Sequence, residues 1–412
     1  MKTRKNTNNI KLHVINGYKV LFVKENNNKL HVECVIRSGF FNEPKHLSGI
    51  NHLLEHMMVE GWKKCEASCI HYWDNKGYHI NASTDKTTMN YYVKGLNHEW
   101  KNMIYYITSI INRPKLNIQT MKKEKQAVID ELLTLSTESE TNLSDVFNKH
   151  FYKLDGLKYG DDWKLQIDNL KHIDIEDVYK MFDLYFNNNN IMFIVVGDFN
   201  TQDIYSLFQS KLKNIHTQHT ILNNDCFTYN HDILYTKGDI QNTKIKFGFP
   251  YVKYYNFIDM RLVTTLLHTI LFDELRTNKS IIYDIDVFNE INLCGTSIMI
   301  SFNIQTTHAL TACKTLLKII NNLQTMTFSE LNGIKNKEIY NFITDESNLI
   351  DYYTSIIYTK SPLYTKNQII HRIKTISQNK IKLILKEILQ IKNALCVYES
   401  KNDLKLSWEK LI

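Results

Sequence analysis

Apolar and polar positions alternate along the chain in two rhythms, one of period two and one near 3.6. The switches between them lay out the elements. KLHVINGYKVLFVKE (residues 11–25) reads as two strands around Asn16-Gly17, a tight-turn dipeptide. HVECVIRSG (31–39) is a further strand, and GINHLLEHMMVEG (49–61) is helical, with Gly61 as its stop signal. YHINASTDKTTMNYYVKG (78–95) alternates as one or two strands. NHEWKNMIYYITSIINRP (97–114) is an amphipathic helix closed by Pro114. NIQTMKKEKQAVIDELLTLSTES (117–139) is a long helix with Asn117 as cap, and YFNNNNIMFIVVGDFN (185–200) carries a buried-type strand.

The second half repeats that order. DILYTKGDIQNTKIKFGFP (232–250) supplies strands and DMRLVTTLLHTILFDELRTN (259–278) an apolar helix. CGTSIMISFNIQT (294–306) is a strand, THALTACKTLLKIINNLQ (307–324) a helix, and NALCVYES (393–400) echoes the strand that ends the first half. The order of elements marks a two-fold repeat of about 200 residues. The expected fold is α+β: two homologous domains, each a mainly antiparallel sheet packed with helices. The first spans 1–215 and the second 230–412, with a polar linker around 214–230.

The halves differ at one place. His52-Leu53-Leu54-Glu55-His56 lines up with Thr265-Leu266-Leu267-His268-Thr269. The apolar positions persist and the three polar groups do not, so packing alone does not demand them. On a helix His52 and His56 are i and i+4 and share a face. Two imidazoles so placed suit a zinc ion, and HxxEH is the inverzincin signature. Glu55 lies beside the pair, placed to reach a water without binding the metal. A catalytic zinc site takes three protein ligands and keeps a fourth position open. Glu124 and Glu131, seven residues apart on the long helix, are the candidates for the third.

Composition narrows the alternatives. The 412 residues carry a net charge of +7 spread along the chain, with no basic block that makes nucleic acid a partner. No apolar run approaches the length of a membrane span. Seven irregularly spaced cysteines argue against a disulfide framework and for a reducing compartment. About ten residues precede the first strand-like alternation, which leaves little room for a presequence. The expectation is a soluble intracellular protein, cytoplasmic rather than mitochondrial.

HxxEH followed by a helix carrying E-x6-E, with 75 residues between His56 and Glu131, resembles the pitrilysin family of metallopeptidases, which includes insulysin and the mitochondrial processing peptidases. SGFFNEPKHLSGINHLLEHMMVEG (38–61) is similar to that family's strand–loop–helix entry, including Ser38-Gly39, Glu43 and the glycine before the helix. The resemblance implies one Zn²⁺ per chain held by His52, His56 and Glu131, with Glu55 activating water and Glu124 supporting a ligand. It implies an edge strand at Asn81 and Ala82 that pairs with an extended peptide. LRTNKSIIY (275–283) resembles the family's R-x6-Y pair, giving Arg276 and Tyr283 as donors to the oxyanion. Gly61-Trp62 stands where the family often has Gly-Thr. The implied activity is zinc-dependent endopeptidase cleavage of unfolded peptides by a homodimer, or a heterodimer with a related chain. Arg276 and Tyr283 would then serve the zinc of their own chain or that of the partner. The competing reading is a catalytically inactive structural or partner subunit, since the family also contains such chains.

Overall fold

The computed structural model describes residues 9–60, 65, 68–112, 116–136, 141–215, 226–359 and 361–412. Gly61 and Pro114, named above as helix stops, and most of the proposed linker lie outside these residues. In chain order the strands are β1 Ile10–Ile15, β2 Tyr18–Lys24, β3 Lys29–Ile36, β4 His79–Thr84, β5 Met89–Leu96, β6 Ile191–Gly197, β7 Ile233–Lys237, β8 Thr243–Tyr251, β9 Ile282–Asn292, β10 Gly295–Ile304 and β11 Leu395–Ser400. The helices used below are α1 Ile50–Val59, α2 Cys69–Asp74, α3 Trp100–Ile111, α4 Ile118–Ser136, α5 Thr141–Phe151, α6 Asp155–Tyr159, α7 Trp163–His172, α8 Ile175–Tyr185, α9 Thr201–Lys211, α10 Phe257–Phe272, α11 Ala309–Asn322 and α12 Leu331–Thr344.

The chain divides into two compact units. One comprises residues 1–137 and 162–222, the other 138–161 and 223–412. The first unit is built on a six-stranded sheet in the order β1-β2-β6-β3-β5-β4, in which only β2 and β6 pair in parallel. Asn16 and Gly17 both have positive φ, 48° and 88°, as the two central residues of a primed hairpin turn require. α1 and α3 cover one face of this sheet, where Met89, Tyr91 and Val93 of β5 are fully buried.

The second unit carries a five-stranded sheet, β7-β11-β8-β10-β9, with β7 and β11 parallel and the other neighbours antiparallel. Strand for strand, β7 to β11 reproduce β2 to β6, with α10 following β8 as α1 follows β3. The α+β class and the mainly antiparallel sheets are therefore as the periodicity indicates.

Two features depart from the sequence reading. Residues 141–161, which that reading includes in the first domain, belong to the second unit. Phe147 and Phe151, one turn apart on α5, stack at 4.8 Å and lie over Gly248 of β8, where a Cβ would meet Phe147 Cζ at 2.4 Å. Tyr152 donates to Glu290 of β9 at 2.7 Å. A helix whose aromatic face fits a glycine gap follows that gap rather than its neighbours in sequence. Second, four of the seven cysteines are paired: Cys65 with Cys69, and Cys226 with Cys294. Cys34, Cys313 and Cys396 are free and buried. The expectation of no disulfides fails because a bridge across 68 residues leaves no local pattern, and cysteine usage no longer points to a reducing compartment. No described helix is long and apolar enough to cross a membrane.

Candidate metal centre

Gly49 immediately precedes α1, and its φ of 96° turns the chain into the helix. Leu53, Leu54, Met57 and Met58 face the core and are at most 1% exposed. His52 and His56 stand on another face, their rings 5.0 Å apart. α4 packs against α1 and brings its two acids to that face. Glu131 Oε2 lies 3.6 Å from His52 Nε2 and 3.5 Å from His56 Nε2. Glu124 Oε2 lies 3.6 Å from the other nitrogen of His56, Nδ1.

The two separations to Glu131 suit a shared metal better than a direct hydrogen bond, which needs about 2.7–3.2 Å. Ligand atoms at ~2.0–2.2 Å on a tetrahedral zinc stand roughly 3.3–3.5 Å from one another. His52, His56 and Glu131 are the one such cluster among the described residues, with donor atoms all within 4.8 Å. The donor set, two imidazoles and one carboxylate, is that of a catalytic zinc with an open position. Glu124, which the sequence left as an alternative ligand, instead backs the far side of His56, where a carboxylate orients a ligating ring.

The electrostatics divide the histidines. Burial and the neighbouring His56 lower the pKa of His52 to about 4, so its ring is neutral. Burial would lower His56 too, but the carboxylates of Glu124, Glu55 and Glu131 outweigh it and raise its proton affinity. Glu124 is held below the usual carboxylate range, first by His56 and also by Lys123, whose Nζ is 3.0 Å from its other oxygen.

Glu55 is 9% exposed, and that burial raises its proton affinity. Thr84 Oγ1, at the end of β4, donates to Glu55 Oε2 at 2.6 Å and acts in the opposite sense. Sequence reasoning missed Thr84: it lies 29 residues from Glu55, in a strand where threonine is commonplace. β4 is the edge of its sheet and packs against α1. Asn81 and Ala82 therefore sit on an open strand edge beside the cluster. Asn81 Oδ1 accepts from the Ala82 N–H at 2.9 Å.

Arg276 and Tyr283 belong to the second unit. Arg276 is in a π-helical turn, Asp273–Asn278, and its guanidinium lies 5.4 Å from the Tyr283 ring centroid. Tyr283 is 81% exposed at the start of β9.

Residues 19–160 match the family described as Insulinase (Peptidase family M16), and residues 172–338 match the Peptidase M16 inactive domain. Together these cover about three quarters of the chain. The chain belongs to the insulinase family of peptidases.

Among relatives of this insulinase-family chain, the mitochondrial-processing peptidase subunit beta of Dictyostelium discoideum is 21% identical over 202 residues, 48% of this chain and 43% of that protein. The zinc protease PqqE of Helicobacter pylori is 22% identical over 209 residues, 48% of this chain and 46% of that protein. The match thus spans less than half the length of these curated relatives. The fold extends further. A protease from Helicobacter pylori superposes with a TM-score of 0.76 at 18% identity, covering 95% of this chain and 99% of the other. A peptidase M16 inactive domain from Pseudomonas fluorescens gives 0.79 at 12% identity, covering 97% and 100%.

The half matching the inactive domain shows what replaces the cluster. Thr265 of α10 stands where α1 has His52, and its Oγ1 donates to Glu338 of α12 at 3.1 Å. Glu338 also accepts from Arg261 Nε at 3.0 Å. Glu338 is a buried acid, and a guanidinium from the same helix as Thr265 neutralises it.

Proposed function

We propose that this chain is a zinc-dependent endopeptidase that cleaves extended or unfolded peptides. One observation carries the reading: two histidines of one helix and Glu131 of another converge at metal-ligand spacing, with a buried carboxylate, Glu55, on the same helix as the histidines. His52, His56 and Glu131 would hold one Zn²⁺, and Glu124 would steady His56 through Nδ1. A zinc ion so held supplies Lewis acidity, polarising the scissile carbonyl and acidifying water.

Glu55 takes the proton of the attacking water and returns it to the leaving amine. Thr84 holds the Glu55 carboxylate in place by its 2.6 Å hydrogen bond. The peptide adds to the free edge of β4, and its carbonyl takes over the Ala82 N–H that Asn81 now accepts from. Such recognition reads backbone rather than side chains, which suits unfolded substrates. Arg276 and Tyr283 donate to the oxyanion, within a dimer whose second member is a copy of this chain or a related one.

The test is hydrolysis of an unstructured peptide by purified protein. Chelation should stop it, and added zinc should restore it. Cleavage that survives complete removal of metal would overturn the reading.

A further inference from the structure

The entry loop that precedes α1 contains an acid the chemistry above does not use. Glu43 is 2% exposed, and no cation pairs with it among the described residues. Its Oε2 accepts from the Gly49 N–H and its Oε1 from the Asn51 N–H, both at 2.8 Å. These are N–H groups of the first turn of α1, which an α-helix leaves without internal partners. Gly49 has no side chain to cap them. An acid six residues upstream does so instead, placing negative charge at the positive end of the helix dipole. Burial pushes the Glu43 carboxyl up, toward the neutral acid, and the two N–H donors work the other way, toward the carboxylate. Both oxygens act as acceptors, the arrangement of a carboxylate.

The contacts continue from there to the peptide-binding edge. Asn51, wholly buried, donates from Nδ2 to the Gly39 carbonyl at 2.8 Å. A Cβ on Gly39 would lie 2.2 Å from the Asp85 carbonyl oxygen, so the two segments touch at backbone distance. Phe40 and Phe41 donate their N–H groups to the carbonyls of Asp85 and Lys86, at 3.1 and 2.7 Å. Asp85 follows Thr84, which holds Glu55. One continuous path thus runs from Glu43 through the start of α1 and the Gly39 loop to the end of β4.

We propose that Glu43 is a positioning residue that fixes α1 against β4, so that His52 and His56 meet Glu131 and Glu55 meets Thr84. The inference rests on the zinc-peptidase reading. Asn51 adjoins His52, and the ligands and the base follow within two turns. A small slide or rotation of α1 at its first turn therefore displaces His52, Glu55 and His56 together, away from Glu131 of α4 and Thr84 of β4.

The test is zinc affinity of the metal-free full chain, measured by competition with a chromogenic chelator, for wild type, Glu43→Gln and Asn51→Ala. The Glu43→Gln amide keeps the shape of the carboxylate but offers one acceptor oxygen where two are used. The expected result is a native circular-dichroism spectrum with zinc bound about 10–100-fold more weakly, the range for outer groups that orient metal ligands. For peptide hydrolysis at saturating zinc, kcat should fall while KM stays near wild type. Glu43→Asp, which keeps the charge, should recover part of the loss. A folded Glu43→Gln chain with wild-type zinc affinity overturns the proposal. Should Glu43→Gln fail to fold, Asn51→Ala decides, since it cuts the same path without removing a charge: a folded variant with unchanged zinc affinity overturns the proposal. A wild-type chain that binds no zinc instead refutes the underlying reading.

Discussion

Replacing Thr84 by valine probes the base directly. Valine keeps the branched shape and the strand preference but removes one hydroxyl. That hydroxyl donates to a nine-tenths buried carboxylate at 2.6 Å, a charge-assisted distance. Hydrogen bonds to charged groups contribute roughly 1.5–3 kcal/mol. At about 1.4 kcal/mol per pKa unit, losing it raises the proton affinity of Glu55 by ~1–2 units. The bond stabilises only the ionised base, so the effect is greatest at acid pH. The assay is kcat/KM for an unstructured fluorogenic peptide from pH 5 to 9. The acid limb, which belongs to Glu55 and its coupled neighbours together, should move about 1–2 units to higher pH. Well above the limb the variant should approach wild type. An unmoved limb with a uniformly lower rate would show that Thr84 does not act through the proton affinity of Glu55.

Zinc binding should also depend on pH in one direction. His56 has a raised proton affinity and must lose that proton to bind metal, whereas His52 is already neutral. Apparent zinc affinity should therefore strengthen about tenfold per pH unit below the His56 transition and level off above it; a flat profile in metal-buffered titrations would contradict this. The Cys226–Cys294 bridge closes a 68-residue separation, which should stabilise the second unit by roughly 2–4 kcal/mol. Denaturant curves for wild type and Cys226→Ser should differ by that amount, and coincident curves would argue against it.

The sequence revealed what depends on spacing within a helix. HxxEH and E-x6-E place groups on predictable faces, and α1 and α4 carry them side by side. The repeat of element order holds in the sheet topology, because alternation specifies strands wherever one face is buried. Where partners lie far apart in sequence, no local pattern reports them. Thr84 reaches Glu55 only because β4 and α1 pack together. The exchange of α5 to the second unit follows from Phe147 and Phe151 fitting over Gly248, a match of shape across about 100 residues. Glu43 was legible as part of an entry pattern, but its task was not: only the fold shows that both its oxygens meet the first turn of α1.

The central claim is that His52, His56 and Glu131 hold zinc while Glu55 moves the proton. Zinc content and peptide turnover, measured together for wild type and Glu55→Gln, test it most directly. About one zinc per chain is expected in both, with turnover in the variant reduced by ~10²–10⁴-fold or more. Equal turnover in the two proteins would contradict the role of Glu55. Zinc bound by a wild-type chain that cleaves no unstructured peptide would contradict the peptidase reading and favour an inactive partner subunit.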